Sequence, residues 1–185
     1  MINRRAKRWF DTVRDANDDF DDKEKRDKFI DAVLGAAEYY ATVEADVPQE
    51  LLIAGRLEGM VIENTALAYF YNSLHTDALQ IRKYLENVLT DYESKKYVWF
   101  QTSSDGKAML GTKPTATDLR NHIKADDNVQ VLNDCIRLIA DRQHMLEDIR
   151  DSFSIRGFNL KTITDIRIAK LEEVWIDGTR ETKNS

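Results

Sequence analysis

The sequence predicts an all-α protein in which a few long helices pack into a helical bundle. Only two of its 185 residues are proline and seven are glycine, so few positions interrupt a helix. Charged residues make up 32% of the chain and hydrophobic residues 42%, which is typical of a soluble globular or helical-bundle protein. Apolar residues also recur at i, i+3 and i+4 in most segments, as they do on one face of an amphipathic helix.

Residues 1–45 are predicted to form an N-terminal helical extension. Residues 1–10 are basic and end at Trp9 and Phe10, whereas residues 11–27 are nearly all charged. This segment is either a helix that docks on the body of the protein or an acidic arm that orders only with a partner. Its helical stripe consists of Phe29, Ile30, Val33, Leu34 and Ala37.

Residues 46–175 are predicted to form the helical core. Pro48 suits the first turn of a helix, and apolar positions recur from there to Leu74. The stretch "SLHTD" indicates a break, with Thr76 or Asp77 as the N-cap of the next helix. That helix carries an apolar stripe as far as Tyr92.

Residues 95–116 are predicted to project from the core, with a short β-hairpin or loop near residues 97–110. Val98, Trp99 and Phe100 favour extended structure, and the pair Asp105 and Gly106 is a turn signal. The sequence alone does not distinguish the hairpin from the loop.

Two further helices are predicted to complete the core. The first begins after Pro114 and has the clearest amphipathic stripe of the chain, which ends at Phe153. Gly157 is predicted to end it as the C′ residue, and a last helix follows. Residues 176–185 are predicted to form a flexible tail.

Motifs for catalysis are missing from the sequence. The histidines show no metal-ligand spacing; His122 and Asp126 share a helix face, but a solvated face is the favoured interpretation. Cys135 lies on the apolar stripe, which favours a buried structural thiol and suits a reducing compartment. Without a phosphate-binding loop or a dinucleotide fingerprint, we expect no catalytic residue, no cofactor and no metal, and a protein that is not an enzyme.

Charge and hydropathy limit the location and the partners. No apolar run approaches the ~18 residues of a membrane span, and the basic start has no apolar region of a signal peptide, so we expect a cytoplasmic protein. The net charge of −6 argues against coating nucleic acid by bulk charge. A local basic groove remains possible because salt screens each charge over about 8–10 Å.

The stretch "SKKYVWFQTSSDGK" combines cations with aromatic residues. Lysines can neutralise phosphates and aromatic side chains can stack on unpaired bases, which is how proteins hold single strands. If the segment is extended, Tyr97 and Trp99 share one face. The alternative is that Trp99 and Phe100 belong to the core or to a subunit interface. The candidate DNA-binding residues are Lys95, Lys96, Tyr97, Trp99, Phe100 and Lys107.

A second basic and aromatic stretch, "SIRGFNLKTITDIR", lies at the predicted end of the amphipathic helix. One interpretation is a corner between two helices, in which Phe158 packs inward and Arg156 caps carbonyls at a helix C-terminus. The other is a functional surface for oligomer or partner contact. Its candidate residues are Arg156, Phe158, Lys161 and Arg167.

The stretch "RGFNLKTITDIR" at residues 156–167 resembles the C-terminal signature of the UvsY-type recombination mediator proteins of T4-like phages. "ADDNV" at 125–129 is similar to the acidic helix start of that family, and Asn64, His75 and Thr76 fall in register with family positions. The resemblance covers about residues 50–170. The family's glycine-rich segment after the aromatic residues is replaced here by "QTSSDGKAMLGTKP".

The resemblance implies a phage protein that acts in the host cytoplasm. Such proteins are non-enzymatic, bind single-stranded DNA, form homo-oligomeric rings and help load a RecA-like recombinase by displacing the single-strand DNA-binding protein. It implies that Lys95, Lys96, Trp99 and Phe100 contact DNA. The corner at 156–167 would serve oligomer packing or recombinase contact.

Two other functions are compatible with the sequence. The first is a helical protein–protein adaptor or inhibitor that inserts the loop at Trp99 and Phe100 into a partner without binding nucleic acid. The second is a structural helical oligomer. Salt-dependent binding to an oligonucleotide distinguishes both from a DNA-binding protein.

Overall fold

Helices make up nearly all of the computed structural model, which describes residues 8–16, 20–52, 56–111 and 115–180, with side chains as far as 170. These residues contain seven helices and no strand, which confirms the all-α prediction. The helices are α1 (Phe10–Asp15), α2 (Lys23–Glu44), α3 (Val47–Glu50), α4 (Leu57–Thr102), α5 (Ser104–Leu110), α6 (Ala116–Lys124) and α7 (Asp127–Arg180).

The long helices α4 and α7 pack against each other in antiparallel orientation and form the spine of the protein. The N-terminal part of α4 therefore contacts the C-terminal part of α7, and the C-terminal part of α4 contacts the start of α7. Leucine, isoleucine and aromatic side chains at helical spacing fill the interface, and Leu74, Ile81, Leu132 and Ile139 are fully buried. Three hydrogen bonds mark the register: Asn64 with Phe153, Arg82 with Gln143, and Tyr92 with Asp126.

Helix α2 is the third member of the bundle. Asp22 caps its N-terminus by accepting hydrogen bonds from the backbone of Glu24 and Lys25. Its apolar stripe packs on the spine, with the Phe29 and Tyr84 rings 6.5 Å apart. The N-terminal segment is therefore a helix that docks on the body, from Lys23 onward, and not an acidic arm that waits for a partner.

The predicted helix break at Thr76 and Asp77 is wrong, because α4 runs through both residues. The hydroxyl of Thr76 donates to the carbonyl of Asn72 within the same helix, at 2.8 Å. The carboxylate of Asp77 is buried and accepts from the Tyr40 hydroxyl at 2.8 Å and from the Trp9 backbone N–H at 2.7 Å. Both side chains have non-capping roles that the local sequence does not reveal.

The predicted helix end at Gly157 is also wrong, because α7 continues through it to Arg180. A Cβ atom on Gly157 would lie 3.0 Å from Nδ2 of Asn64 on α4. The glycine therefore permits close approach of the two long helices and does not adopt a left-handed cap. Phe158 is 70% exposed, so the interpretation of a helix corner with Phe158 packed inward is wrong. The predicted tail begins inside α7, and residues 181–185 lie outside the described ranges.

The predicted β-hairpin near 97–110 is wrong as well. Residues 97–102 form the last turns of α4, and α5 follows directly, with the Ser103 hydroxyl accepting from the Gly106 backbone N–H at 2.9 Å. Burial of Phe100 continues the apolar stripe of Val88 and Tyr92, so tertiary packing overrides the β propensity of this stretch. The expected projecting loop at 95–116 is thus mostly helical.

Candidate nucleic-acid interface

The C-terminal end of α4, together with α5 and α6, forms a surface that carries most of the predicted DNA-binding residues. Helix α6 is fixed at its start by a capping box, in which Thr115 accepts from the Asp118 backbone N–H and donates its own N–H to the Asp118 carboxylate. The Thr115 hydroxyl also donates to the Asp118 carboxylate at 2.7 Å, and this bond together with the one from the Thr115 backbone N–H holds the pKa of Asp118 below its ordinary value. Leu119 and Ile123 are buried, and they hold α6 in the core.

Phe100 connects α4 to α6 and is 6% exposed. Its ring lies 6.0 Å from the His122 ring on α6 and 5.0 Å from the Trp99 ring, centroid to centroid. Its face is closed to a stacking base in this conformation. Phe100 therefore has a structural place in the core, as the alternative interpretation of the sequence required.

Lys96 is engaged within the chain. Its ammonium group lies 3.1 Å from the Asp126 carboxylate, 5.2 Å from the centroid of the Tyr92 ring and 6.0 Å from that of the Trp99 ring. Partial burial lowers its pKa, but hydrogen bonds to Tyr92 and Asp126 and their charges raise it by more, so the net pKa is above the ordinary value. Lys96 stays cationic and positions Trp99, with its charge balanced by Asp126.

Lys95 and Trp99 form one exposed pair. They are four residues apart on α4 and so share a helix face, and the indole is 40% exposed. Tyr97 lies two residues from each of them, about 200° around the helix axis. Tyr97 and Trp99 were expected to share a face if the segment was extended. The segment is helical, so the two side chains lie on opposite sides of α4.

Tyr97 is 41% exposed and forms the common wall of two grooves. One groove, of about 460 Å³, lies between α4 and α6 and is lined by Thr90, Ser94, Arg120 and Lys124 among others. The other, of about 700 Å³, lies between α4, α5 and α6 and includes Lys107. Cations from two short helices thus flank one exposed aromatic side chain.

Sequence reasoning missed two residues of this surface, Arg120 and Lys124. They are four residues apart and exposed on α6, so they project from the same side of the helix. That spacing within "DLRNHIK" was a usable signal. What could not be inferred is that Leu119 and Ile123 dock α6 beside Tyr97.

The second predicted group lies at the opposite end of the spine. Phe158, Lys161 and Arg167 are exposed on α7. Arg156 is only 3% exposed: its guanidinium donates to Asn64 Oδ1 at 3.0 Å and to the Leu52 carbonyl at 3.2 Å. The prediction that Arg156 offers an oligomer or partner contact does not fit this burial, because its hydrogen bonds stay within the chain.

The described part of the chain shows no cluster of metal-binding side chains, and none of its helices has the length and apolarity to cross a bilayer. Cys135 is buried, as expected from its position on the apolar stripe, and burial raises its pKa to about 11. The adaptor hypothesis required a projecting loop at Trp99 and Phe100. That segment is helical and Phe100 is buried.

Comparison with known proteins places these features in a family. No curated protein and no solved structure matches the chain. Residues 23–172 match the family described as "Recombination, repair and ssDNA binding protein UvsY". The match begins at the first residue of α2, so it includes more of the N-terminal segment than the resemblance over residues 50–170. This match covers most of the 185 residues, and the chain belongs to the UvsY family.

Proposed function

We propose that this protein binds single-stranded DNA and helps load a RecA-like recombinase during homologous recombination, repair and recombination-dependent replication. The family membership supports recombination, repair and single-stranded DNA binding as its field of action. The observation that carries the proposal is the exposed Tyr97 between cationic grooves formed by α4, α5 and α6. A basic groove with an exposed aromatic side chain can hold phosphates and stack a base without reading sequence.

The residues of this surface have different roles in the proposal. Lys107, Arg120 and Lys124 neutralise phosphates along the grooves, and Tyr97 stacks on a base. Lys95 and Trp99 form a second contact on the opposite side of α4. Lys96 and Phe100 act indirectly: Lys96 orients the indole, and Phe100 anchors α6.

Homo-oligomer formation, with a ring as the assembly, is part of the proposal. Helix α7 carries exposed apolar side chains, with Ile155 63% and Phe158 70% exposed, at the end of the spine away from the grooves. Such residues are suited to contact a second copy, and Lys161 lies one turn after Phe158. Arg167 is exposed further along α7, on the opposite side of the helix from Phe158. Several weak sites in one assembly would hold a strand by avidity.

The mediator role requires the protein to act against a single-strand DNA-binding protein without catalysing a reaction itself. The test measures ATP hydrolysis by a RecA-like recombinase on single-stranded DNA coated with that binding protein. We expect this protein to shorten the lag before steady hydrolysis, and Tyr97→Ala to abolish the shortening. An unchanged lag with the wild-type protein would refute recombinase loading, whether or not the protein binds DNA.

A further inference from the structure

One face of α4 continues from the Tyr97 groove along the spine. Residues seven apart on a helix lie almost in line, drifting by about 20° each time. Two such rows run side by side here, and all their members are exposed or half-buried. The first row is Tyr69, Thr76, Lys83, Thr90 and Tyr97; the second is Ser73, Gln80, Asn87, Ser94 and Gln101.

These two rows contain no carboxylate, although the chain carries 33 acidic residues. They carry an aromatic residue at each end, a lysine in the middle and uncharged polar side chains between. The rows span about 42 Å from Tyr69 to Tyr97 at 1.5 Å per residue. Asp91 lies beside the second row and is exposed, and Glu93 lines the Tyr97 groove. Glu86 lies beside the first row, three residues after Lys83, and pairs with Arg82 at 2.9 Å. A polyanion can therefore follow this face with little repulsion except at those three residues.

Cations from outside α4 flank both ends of the face. At one end Arg120 and Lys124 of α6 line the groove beside Thr90 and Ser94. At the other end a groove of about 390 Å³ is lined by Arg8, Tyr69, Thr76 and Asp77, among others. The Asp77 carboxylate there is buried and accepts hydrogen bonds from Tyr40, Trp9 and Phe10, so its charge is largely satisfied within the chain. Tyr69 is 78% exposed there, so its ring is open to a base. The arrangement of cation plus exposed tyrosine is thus repeated at the two ends.

Arg8 is held in place by the anchor of α1. The Asp77 carboxylate accepts from the backbone N–H groups of Trp9 at 2.7 Å and Phe10 at 3.3 Å, and the Arg8 guanidinium donates to Gln80 Oε1 at 3.1 Å. The indole of Trp9 fits against Gly35, where a Cβ atom would come within 2.9 Å of it. These contacts fix Arg8 beside Tyr69 on α4.

We infer that a single strand of DNA follows this face of α4, from the Tyr97 grooves past Lys83 to a second binding site formed by Arg8 and Tyr69. The inference rests on the proposed single-stranded DNA binding and extends it to residues that the sequence did not single out. Lys83 neutralises a phosphate midway, the amides of Asn87 and Gln101 donate to phosphate oxygens, and Tyr69 stacks on a base. Each bound subunit therefore covers the length of the spine and not only its α6 end.

Added negative charge on the face gives the sharpest test. Thr76, Thr90 and Thr42 are all exposed helical threonines whose hydroxyls donate to the carbonyl four residues earlier. Thr76→Glu and Thr90→Glu place a carboxylate on the proposed path, whereas Thr42→Glu makes the same change on α2. We expect the first two to weaken binding of a fluorescein-labelled oligothymidine at least about fivefold, because like charges a few ångströms apart repel, and Thr42→Glu to have no effect.

Two further variants test the sign of the charge effect and the contribution of base stacking. Asp91→Asn removes the repulsive charge and should strengthen binding, a gain that loss of folding cannot mimic. Tyr69→Ser should weaken binding about fivefold or more at every salt concentration while leaving the slope of log K against log salt unchanged, because stacking is lost and no cation is.

The outcomes separate this inference from the proposed function. Thr90 lines the Tyr97 groove, so Thr76→Glu is the variant that separates the two sites. If Tyr97→Ala and Thr90→Glu weaken binding of the oligothymidine but Thr76→Glu behaves like Thr42→Glu, the extended path is refuted and the Tyr97 site stands. If the wild-type protein does not bind at low salt, both fall. If the glutamate variants keep full DNA affinity but lose recombinase stimulation, the face binds protein and the inference is wrong.

Discussion

At the residue scale, Arg156 and Gly157 of α7 contact Asn64 of α4, and we call this buried, hydrogen-bonded contact the polar lock. The Asn64 amide donates to the Phe153 carbonyl at 3.2 Å while its Oδ1 atom accepts from Arg156 at 3.0 Å. Both side chains are buried, so each needs the other to satisfy its hydrogen bonds. The first two residues of the motif at 156–167, Arg156 and Gly157, therefore have a structural explanation. Phe158, the next residue, is exposed and is available for contact with a partner.

Arg156→Ala should lower the free energy of unfolding by about 2–4 kcal/mol, because it leaves the Asn64 oxygen buried without its donor. Urea denaturation at one fixed protein concentration measures this, since self-association would add to apparent stability. Arg137→Ala is the control: Arg137 is exposed and pairs with Asp134, so we expect a change below about 0.5 kcal/mol. Equal small effects of both substitutions would contradict the lock.

Cys135 should react slowly with iodoacetamide in the folded protein. Burial raises its pKa to about 11 from an unfolded value of 9.0, so at pH 8 the thiolate is about 100-fold rarer than in urea. The stability that this neutral thiol contributes is fully present below pH 9 and is lost as the pH rises through 11. Mass spectrometry follows the alkylation, and native labelling as fast as in urea would refute the buried thiol.

The junction between α4 and α5 determines the shape of the candidate interface at the element scale. Gly106 lies where α5 turns back over the end of α4, and a Cβ atom there would be 2.8 Å from the Phe100 Cα atom and from the Trp99 carbonyl oxygen. These are backbone atoms of α4, so they cannot rotate away. The close approach places Lys107 of α5 on the groove beside Tyr97.

Gly106→Ala should destabilise the protein by about 1–3 kcal/mol and displace α5 from the groove, because the new methyl group overlaps backbone atoms. Gly59→Ala is a matched control in α4 with no atom within 4 Å of the new Cβ, and it should stabilise by about 0.5–1 kcal/mol through helix propensity. Urea denaturation followed by tryptophan fluorescence compares the two. A stabilising Gly106→Ala would show that α5 does not pack as described.

Apolar periodicity predicted the helices well where one face is buried throughout. The stripe that ends at Phe153 is the clearest case, and α7 follows it. The single helix predicted to begin after Pro114 is wrong in its first part, because Ala125 and Asp126 separate α6 from α7. The end predicted at Gly157 failed because that glycine is required by a partner helix, which local sequence cannot show. The β-hairpin failed because Phe100 is buried against α6, which outweighs the extended propensity of its neighbours.

The candidate site was also predictable only in part, because packing between helices decides which of its residues are exposed. Lys95, Tyr97, Trp99 and Lys107 are on the surface, as the mixture of cations and aromatic residues indicated. The engagement of Lys96 with Asp126 and the cations of α6 depend on how α6 docks, which follows from long-range packing. Sequence thus indicated the candidate region, and the roles proposed for its residues depend on the tertiary structure.

At the scale of the whole molecule, the Tyr97 grooves and the exposed Phe158 lie at opposite ends of the spine. The chain has a net charge of −6, yet Lys107, Arg120 and Lys124 gather around Tyr97 at one end. Exposed Phe158 lies at the other end, so the proposed contact between copies and the proposed Tyr97 site use different surfaces. In the proposed assembly, a strand in the Tyr97 grooves would not displace Phe158 from a neighbouring copy.

Phe158→Asp should shift the protein towards smaller species without unfolding it, because the side chain is 70% exposed in the single chain and a carboxylate cannot be buried cheaply between copies. Size-exclusion chromatography with light scattering measures the mass, and circular dichroism checks the helix content. Leu34→Asp is the control, since Leu34 is 42% exposed on α2. A wild-type protein that is already monomeric would contradict the proposed assembly.

Binding of a fluorescein-labelled oligothymidine across a salt titration tests the central claim, that the Tyr97 grooves hold single-stranded DNA. We predict wild-type binding that weakens steeply with salt, and a slope of log K against log salt reduced by about 1.4 in the Lys107→Ala, Arg120→Ala double variant, since each lost phosphate contact removes about 0.7. Lys28→Ala, which removes an exposed cation on α2 that pairs with Glu24, should leave the slope unchanged. No wild-type binding at about 50 mM salt, or a double variant that matches Lys28→Ala, would contradict the claim.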